Sequence, residues 1–362
     1  MGQRPAEVTM AHKYVAYVGS YTFYGSSKGI TIYDVDTEKN YFTKRKEIPV
    51  NNSSYLTVSY DHRYLYSIVD EGVSAFRILP DGDLELINTA GIRGMRGCYI
   101  TADRENRFLA VSGYHDGKMT ILWLRDDGGI GDIASEVFNR GYGSVAERNF
   151  RPHVTCTQFT PDNNFICMVD MGIDNVKVYK LDRDDGEVHL ADIIHCELNS
   201  APRYLQFSGD GRHMYMVHQL KNYITVYNYI YNEECPEFQF KQLVSTQPKK
   251  SQTVNAAVAL RFSHDFSHVF CTNAGDNTVA CYDRDPENGL LYNKFILPIS
   301  GDYPKEMDIF PDDRHIVCCN HDSGSLTFFT VDYDKNYIVM NGLPVRVDNP
   351  NVCKIVELPD GE

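Results

Sequence analysis

One stretch decides the fold: Arg203-Tyr-Leu-Gln-Phe-Ser-Gly-Asp210-Gly-Arg-His-Met-Tyr-Met-Val-His218. It contains an apolar run rich in aromatic and β-branched residues, a turn built on an acidic residue, and a second apolar run. Five further copies place the acidic turn residue at Asp61, Glu105, Asp162, Asp265 and Asp312, so successive copies lie 44 to 57 residues apart. A repeat of this length, made of short β-rich runs, is typical of a propeller blade.

Each copy continues with a third strand, such as Asn222-Tyr-Ile-Thr-Val-Tyr227, and a weaker fourth run. Four antiparallel strands make one blade, and blades bury their faces by packing side by side around an axis. The N-terminal run Tyr14-Val-Ala-Tyr-Val-Gly19 matches a second strand, and the run at 352–358 supplies the missing first strand. The sequence therefore predicts an all-β, seven-bladed β-propeller whose first blade is closed by the C-terminal strand. We expect residues 1–362 to form a single domain, with residues 1–11 as a loose tail.

Composition narrows the range of functions. The formal net charge of −14 disfavours non-specific binding to nucleic acid or to an anionic membrane, because both need a basic face. No apolar run approaches the roughly 20 residues that span a bilayer, and no signal peptide is visible. We therefore expect a cytoplasmic protein, a monomer or homodimer, that binds a small molecule.

The ten cysteines form no C-x-x-C pair, and most of them lie inside predicted strands. This pattern is typical of reduced, buried cysteines in a cytosolic protein. The chain also lacks a G-x-x-x-x-G-K-[ST] phosphate loop, an H-E-x-x-H motif and a G-x-S-x-G elbow. WD dipeptides are missing too, which argues against a common protein-scaffold propeller.

The propeller geometry predicts where a site would lie. Loops that lead into the first strand of each blade, and loops that leave the second strand, meet at one mouth of the central channel, and a concave site fed by several segments is the default binding site. Polar side chains are dense at these two positions. Those at the first-strand starts are Asn52, Arg96, His153, Thr155, Arg203, Tyr303 and Lys305. Those at the second-strand ends are Asp70, Glu71, Tyr114, His115, Asp170, His218, Gln219, Asn273, Asn320 and His321. The column of Asp70, Asp170, Asn273 and Asn320 is equally compatible with turn capping.

Several motifs resemble the seven-bladed β-propeller lactonase family, which includes 6-phosphogluconolactonases and 3-carboxymuconate lactonising enzymes. They are Tyr17-Val-Gly-Ser-Tyr-Thr22, Ser27-Lys-Gly-Ile30, Gly113-Tyr-His-Asp-Gly117, Arg151-Pro-His-Val154, Ala201-Pro-Arg203 and Asn320-His-Asp-Ser323. The resemblance covers about residues 14–358. It implies a lactone hydrolase whose active site is a His, Arg, Glu, Arg set at the channel mouth.

This chain departs from the set that the resemblance implies. The His and the first Arg correspond to His153 and Arg203, but the Glu position is Gln219 and the second Arg position is Ala274. An expected Pro-Arg pair in the last blade ends in Lys305. An amide cannot take a proton from water as a carboxylate can, and neither alanine nor lysine restores bidentate binding by a guanidinium.

Three functions are compatible with these residues. In a lactonase-like hydrolase of a sugar-derived lactone, His153 would exchange protons and Arg203 would stabilise the carbonyl oxygen, with Gln219 at the third catalytic position. Lys305 and Arg96 would add positive charge, and Glu71 or Asp170 would replace the missing carboxylate. The remaining predicted substrate-binding residues are Tyr114, His115, His218, Asn273, Asn320 and His321.

The second function is a metal-assisted lyase or isomerase, although the lactonase hypothesis requires no cofactor. Imidazole and carboxylate groups suit a divalent transition metal. The candidate ligands are His115, His153, His218, His321 and Glu71. The third function is a non-catalytic binding propeller with a degraded family site, which Gln219 and Ala274 motivate.

Overall fold

The computed structural model describes residues 14–23, 25–143, 150–248 and 254–358. These residues form 28 strands in seven four-stranded antiparallel sheets, and no helix occurs among them. The prediction of an all-β, seven-bladed propeller is thus confirmed. The described part of the chain accordingly has no helix that could cross a membrane. The predicted loose tail, residues 1–11, lies outside the described residues.

Each sheet is one blade. Blade 1 contains β1 (Tyr14–Ser20), β2 (Gly29–Asp36), β3 (Tyr41–Pro49) and β28 (Pro350–Glu357). Blade 2 contains β4 (Leu56–Val58), β5 (Tyr64–Val69), β6 (Gly72–Ile78) and β7 (Leu84–Gly91). Blade 3 contains β8 (Tyr99–Ala102), β9 (Phe108–Gly113), β10 (Lys118–Leu124) and β11 (Ile130–Phe138). Blade 4 contains β12 (Val154–Phe159), β13 (Phe165–Asp170), β14 (Asn175–Leu181) and β15 (Val188–His195).

The remaining three blades follow the same order. Blade 5 contains β16 (Pro202–Phe207), β17 (His213–His218), β18 (Tyr223–Ile230) and β19 (Glu237–Ser245). Blade 6 contains β20 (Ala256–Phe262), β21 (His268–Ala274), β22 (Thr278–Arg284) and β23 (Leu291–Pro298). Blade 7 contains β24 (Pro304–Ile309), β25 (His315–Asn320), β26 (Ser325–Asp332) and β27 (Tyr337–Arg346).

The ring closes through the two ends of the chain. Strand β28 pairs antiparallel with β1, with Val356 opposite Val15 and Lys354 opposite Tyr17. It also contacts the inner strands of the blades on either side, β4 and β24. The seven inner strands (β28, β4, β8, β12, β16, β20 and β24) therefore surround the central channel, and the predicted closure is confirmed.

The acidic repeat residue builds the turn between the first and second strands. In blade 5, the carboxylate of Asp210 accepts hydrogen bonds from the Ser208 hydroxyl at 2.5 Å and from the Arg212 backbone N–H at 3.1 Å. The residue after the acid has a positive φ, as at Gly211 (70°) and Asn163 (60°). Glycine and asparagine tolerate this conformation best, so the Asp-Gly and Asp-Asn pairs specify the hairpin.

Aromatic side chains fill the space between neighbouring blades. Between blades 7 and 1, Phe42 packs 5.5 Å from Phe310 and 5.0 Å from Phe328, measured between ring centroids. All three rings are at most 1% exposed. The large apolar area that such rings bury fixes each blade against the next, and this rigidity positions the inner strands around the channel.

Candidate active site

A cavity of about 290 Å³ lies at the channel mouth where the sequence predicts a site. We call it the mouth cavity. All seven blades contribute to its wall. Its lining residues are Tyr21, Ser54, Tyr55, Arg96, Gly97, Cys98, Tyr99, Tyr114, His115, Thr155, Arg203, Tyr204, Val258, Lys305, Glu306 and Asn351.

Irregular strand pairing turns several inner-strand side chains toward this cavity. The register of the inner strand against its neighbour shifts across Thr155 in blade 4, across Arg203 in blade 5 and across Lys305 in blade 7. Similar shifts fall at Val258 in blade 6 and at Asn351 in blade 1. A β-bulge leaves one residue out of the ladder and turns its side chain, which is why bulges recur beside active sites.

Arg203 is held by the side chain that takes the place of the expected glutamate. Its Nη1 donates to Oε1 of Gln219 over 2.6 Å. Gln219 is 3% exposed, and its own backbone N–H donates to the carbonyl of Ala201. The neutral amide orients the guanidinium without cancelling its charge, so Arg203 presents a full positive charge to the mouth cavity.

Arg96 lies across the rim of the same cavity. Its guanidinium stacks over the rings of Tyr21 and Phe23, 5.0 and 4.6 Å from their centroids. Its Nη1 lies 3.1 Å from Oδ1 of Asp70, a carboxylate that also accepts both hydrogen bonds of the Asn52 amide. Stacking and ion pairing fix the orientation of Arg96.

Lys305 is the third cation of the mouth cavity. Its Nζ donates to Oδ1 of Asn351 over 2.7 Å and lies 4.8 Å from the centroid of the Tyr21 ring. Burial, reinforced by the charges of Arg203 and Arg96, lowers the pKa of Lys305 to about 7. The amine is therefore neutral for part of the time near neutral pH.

His153 lies behind the cavity wall. Its ring stacks on Tyr114 with centroids 4.2 Å apart, and its Nδ1 lies 2.8 Å from the Tyr114 carbonyl oxygen. The backbone N–H of His153 donates to Asp170. His153 is 4% exposed and does not line the mouth cavity, whereas Tyr114 does. The proton-exchanging role of His153 thus stays a prediction, and its observed contacts position Tyr114.

The other predicted histidines do not converge. His218 is 1% exposed, and its two ring nitrogens bond the hydroxyls of Ser200 and Thr225. Burial lowers the pKa of His218 to about 3, so its ring stays neutral. His321 packs edge-on against Tyr21 beside the cavity, and only His115 lines it. Burial, with help from Arg96, also lowers the pKa of His115.

Two members of the second-strand column, Asp170 and Asn273, bond the backbone of loops. Asp170 accepts the backbone N–H groups of His153 and Gly172, each over 2.8 Å. Asn273 donates to the carbonyl of Thr246, and Asn320 donates to the hydroxyl of Thr327. All three are fully buried outside the mouth cavity, and Glu71 is exposed outside it. The contacts of Asp170 and Asn273 match the capping alternative, whereas Asp70 bonds the side chains of Asn52 and Arg96.

The described residues contain no group of three or more His, Cys, Asp or Glu side chains placed to hold a metal ion. The five candidate ligands of the metal hypothesis do not share one site, which explains this result. His115 lines the mouth cavity, His321 lies beside it, and His153, His218 and Glu71 lie outside its lining. The one cysteine of the mouth cavity, Cys98, is also disfavoured as a nucleophile. Burial raises its pKa to about 11, so it stays a thiol.

The sequence did not predict the floor of the cavity. Arg261 and Glu306 form an ion pair over 2.6 Å, with 5% and 4% of their side chains exposed. Tyr55 donates to Glu306, and Arg261 donates to the hydroxyl of Tyr204. Arg261 also lines a cavity of about 750 Å³ on the other side. These four residues and Tyr99, which we call the channel floor, therefore separate the two cavities.

A signal for the floor was present in the repeat. Tyr55, Tyr99 and Tyr204 occupy similar places at the start of three inner strands. This position lies six residues before the turn acid, and it is a tyrosine in three of the six repeats. Glu306 occupies the same position in the last repeat, but its pairing with Arg261 carries no sequence signal, because the two residues are 45 positions apart and meet only in the closed ring.

Known proteins resemble this chain along nearly its whole length. The family model described as "Lactonase, 7-bladed beta-propeller" matches residues 15–355. A 6-phosphogluconolactonase from Bacillus subtilis (strain 168) is 28% identical over 347 residues, which cover 94% of this chain and 97% of that protein. A 6-phosphogluconolactonase from Formosa agariphila is 25% identical over 331 residues, 88% of this chain and 92% of that protein.

Among solved structures, a periplasmic gluconolactonase from Pseudomonas aeruginosa superimposes with a TM-score of 0.88 at 26% identity. The superposition covers 96% of this chain and 99% of that one. The family match and the structural likeness therefore each extend over nearly the whole chain.

Proposed function

This chain belongs to the seven-bladed β-propeller lactonase family, and we propose that it hydrolyses an anionic, sugar-derived lactone in the mouth cavity. Family membership and the relatives named 6-phosphogluconolactonase indicate a lactone hydrolase. One observation carries the finer proposal. Arg96, Arg203 and Lys305 line a single cavity, and the one carboxylate among its described lining residues, Glu306, is paired with Arg261.

Charge supports an anionic substrate. A protein with a net charge of −14 concentrates three cationic side chains in about 290 Å³. Arg96 already pairs with Asp70, but Arg203 and Lys305 form no salt bridge with a carboxylate of the described residues. Partly buried cations are costly without an opposite charge, and a phosphate or carboxylate of the substrate would supply it. The volume suits a compact ligand of the size of a sugar lactone. 6-Phosphogluconolactone combines the ring size with the charge.

Lactone hydrolysis needs a stabilised oxyanion. When water attacks the carbonyl carbon, negative charge develops on the carbonyl oxygen. We assign that oxygen to Arg203, because Gln219 holds its guanidinium without neutralising it. Arg96 would bind the anionic substituent at the rim, where Tyr21, Phe23 and Asp70 keep it in one orientation.

The remaining predicted residues take supporting roles in this proposal. His153 positions the ring of Tyr114, which forms part of the wall. Thr155 offers a hydroxyl that has no partner among the described residues, and it can bond a substrate hydroxyl after a small rotation. His115 extends the rim. We also place the protein in the cytoplasm, because all ten cysteines are free.

The test is a continuous pH-drop assay of the metal-defined protein with 6-phosphogluconolactone and with unphosphorylated gluconolactone, corrected for spontaneous opening. We expect turnover, with a higher kcat/KM for the phosphorylated lactone. Arg203→Ala should lower kcat/KM by about 10²–10³-fold, as expected for loss of an oxyanion-stabilising donor. Arg314→Ala, an exposed turn residue outside the cavity, is the matched control.

Two outcomes would overturn the proposal. One is the absence of turnover with both lactones by a folded protein. The other is an Arg203→Ala variant as active as the Arg314→Ala control. Tight binding of gluconate 6-phosphate without turnover would instead favour the binding propeller that the sequence left open.

A further inference from the structure

We propose that the amine of Lys305 takes the proton from the attacking water, an inference that rests on the proposed lactone hydrolysis. Hydrolysis at neutral pH needs a group that accepts this proton in the transition state. The position expected to carry a carboxylate holds Gln219, whose amide cannot accept it. The geometry of the mouth cavity points to Lys305 as the replacement.

The contacts of Lys305 leave a lone pair available. One N–H of the amine donates to Oδ1 of Asn351 over 2.7 Å, and this bond survives when the amine is neutral. The face of the Tyr21 ring lies on another side, 4.8 Å away at its centroid. No ion pair joins Lys305 to any carboxylate of the described ranges. A neutral Lys305 can therefore direct its lone pair at a water in the cavity.

The charges around Lys305 favour the neutral form. Burial is the largest cause of its lowered pKa, and the positive charges of Arg203 and Arg96 add to the effect. Asp322 and the Cys98 thiol act in the opposite direction. With a pKa of about 7, Lys305 is mainly an ammonium below about pH 7 and mainly an amine above it.

Charged groups on the neighbouring elements leave this conclusion unchanged. His321, beyond the end of β25, has a lowered pKa and is therefore neutral near pH 7. The Glu306 carboxylate, next along β24, is paired with Arg261 of β20. Neither residue forms a salt bridge with Lys305 within the described part of the chain. Among the described residues, Arg203 and Arg96 are the positive charges that lower the pKa of Lys305.

Other candidate bases have poorer geometry. Both oxygens of Glu306 are occupied, Oε2 by Arg261 and Tyr55 and Oε1 by the backbone N–H of Met307. His153 lies behind Tyr114, outside the cavity lining. His115 lines the cavity but is an exposed rim residue, so a water that it deprotonated would be part of the bulk solvent.

The step balances without a further reactant. The water oxygen bonds to the carbonyl carbon, its proton moves to Nζ of Lys305, and the carbonyl electron pair moves to the oxygen held by Arg203. The intermediate then re-forms the carbonyl and breaks the ring C–O bond. The departing ring oxygen takes the proton from the Lys305 ammonium, which regenerates the amine. The product is a hydroxy acid, whose carboxyl proton is released to solvent.

Lysine acts here as a base and not as a nucleophile. Direct attack by Nζ on the carbonyl carbon would open the ring and leave an amide. Amides hydrolyse far more slowly than lactones, so that route would inactivate the protein after one turnover. Repeated turnover therefore requires that water attacks.

Two variants separate the roles of charge and base. Lys305→Arg keeps a positive charge that cannot be lost near neutral pH, and Lys305→Met removes the charge at similar length. We expect both to lower kcat for 6-phosphogluconolactone by about 10²–10⁴-fold, the range for loss of a general base. Only Lys305→Met should also raise KM, and only below about pH 7, where the wild-type side chain is an ammonium. Lys335→Arg, an exposed lysine on the outer hairpin of blade 7, is the control.

The pH profile gives a second readout. In the wild type, kcat should rise about tenfold per pH unit below 7 and level off above it, and both Lys305 variants should lose this inflexion. An independent readout is the titration of ¹³C-methylated lysines by NMR. We expect one resonance, absent in Lys305→Arg, to titrate near pH 7.

The outcomes distinguish the inference from the proposed function. An active wild type whose Lys305→Arg variant keeps kcat within about threefold and retains the inflexion would overturn the role of Lys305 alone. So would loss of the inflexion in His115→Ala only, or titration of Lys305 above pH 9. A wild type that opens neither lactone would overturn the proposed function, and this inference with it.

Discussion

Replacing Glu306 by leucine should lower the free energy of unfolding by about 3–5 kcal/mol, because it leaves the charge of Arg261 buried without its counter-ion. The two side chains are 5% and 4% exposed and their charged atoms lie 2.6 Å apart. The same substitution removes the acceptor of the Tyr55 hydroxyl and of the Met307 backbone N–H. Each of those hydrogen bonds adds to the loss.

The double variant Arg261→Met with Glu306→Leu tests this reasoning, because it removes both charges. Replacing a whole buried ion pair by apolar groups is often close to neutral. Here the hydroxyls of Tyr55 and Tyr204 would still lose their partners, so we expect a net loss of about 1–2 kcal/mol. The double variant should therefore be more stable than Glu306→Leu alone.

Urea unfolding followed by far-ultraviolet circular dichroism and by the fluorescence of Trp123, the single tryptophan, provides the measurement. The two signals must give one transition before free energies are compared. A loss below about 1 kcal/mol for Glu306→Leu would refute the reasoning. A double variant that loses the sum of its single variants would refute it as well, because uncoupled residues add.

Three further predictions concern the wall and the ring. Gln219→Ala removes the hydrogen bond that holds the Arg203 guanidinium and should lower kcat/KM about tenfold. An unchanged kcat/KM would mean that this hydrogen bond does not position Arg203. His153→Ala removes the ring behind Tyr114 and should lower kcat about tenfold without moving the pH inflexion; loss of the inflexion would instead assign the proton to His153. A chain ending at residue 349 lacks β28 and should fail to give a cooperative thermal transition by circular dichroism, since blade 1 loses its inner strand; a native-like transition would contradict closure by that strand.

The fold could be predicted because its evidence is local and repeated. A hairpin such as the one around Asp210 needs only the residues within a few positions of the turn. Six copies of that hairpin set the number of blades, and the unmatched run at the N-terminus required a partner at the other end. Strand β28 spans residues 350–357, whereas the pattern predicted 352–358. The two ranges differ by at most two residues at either end.

The candidate site was predicted in part, and bulges explain the difference. Arg203 and Lys305 were identified because each stands just before a readable inner strand. The side chains of the second-strand column point elsewhere: Asp170 and Asn273 satisfy backbone groups of the loops instead of facing the cavity. A one-residue change of register reverses the face of a strand, and the sequence does not state where a bulge falls.

Under this interpretation, the departures from the family pattern at Gln219, Ala274 and Lys305 offset one another in charge. The exchange of the expected Glu for Gln219 removes a negative charge, and the exchange of the expected Arg for Ala274 removes a positive one. When Lys305 is protonated, the total charge of these three positions is therefore the same as with the expected Glu and Arg residues. Arginine at this position could not lose its proton near neutral pH, but a partly buried lysine beside two guanidinium groups can. The chain that lacks the carboxylate base is therefore the one that has gained a titratable cation in the same cavity.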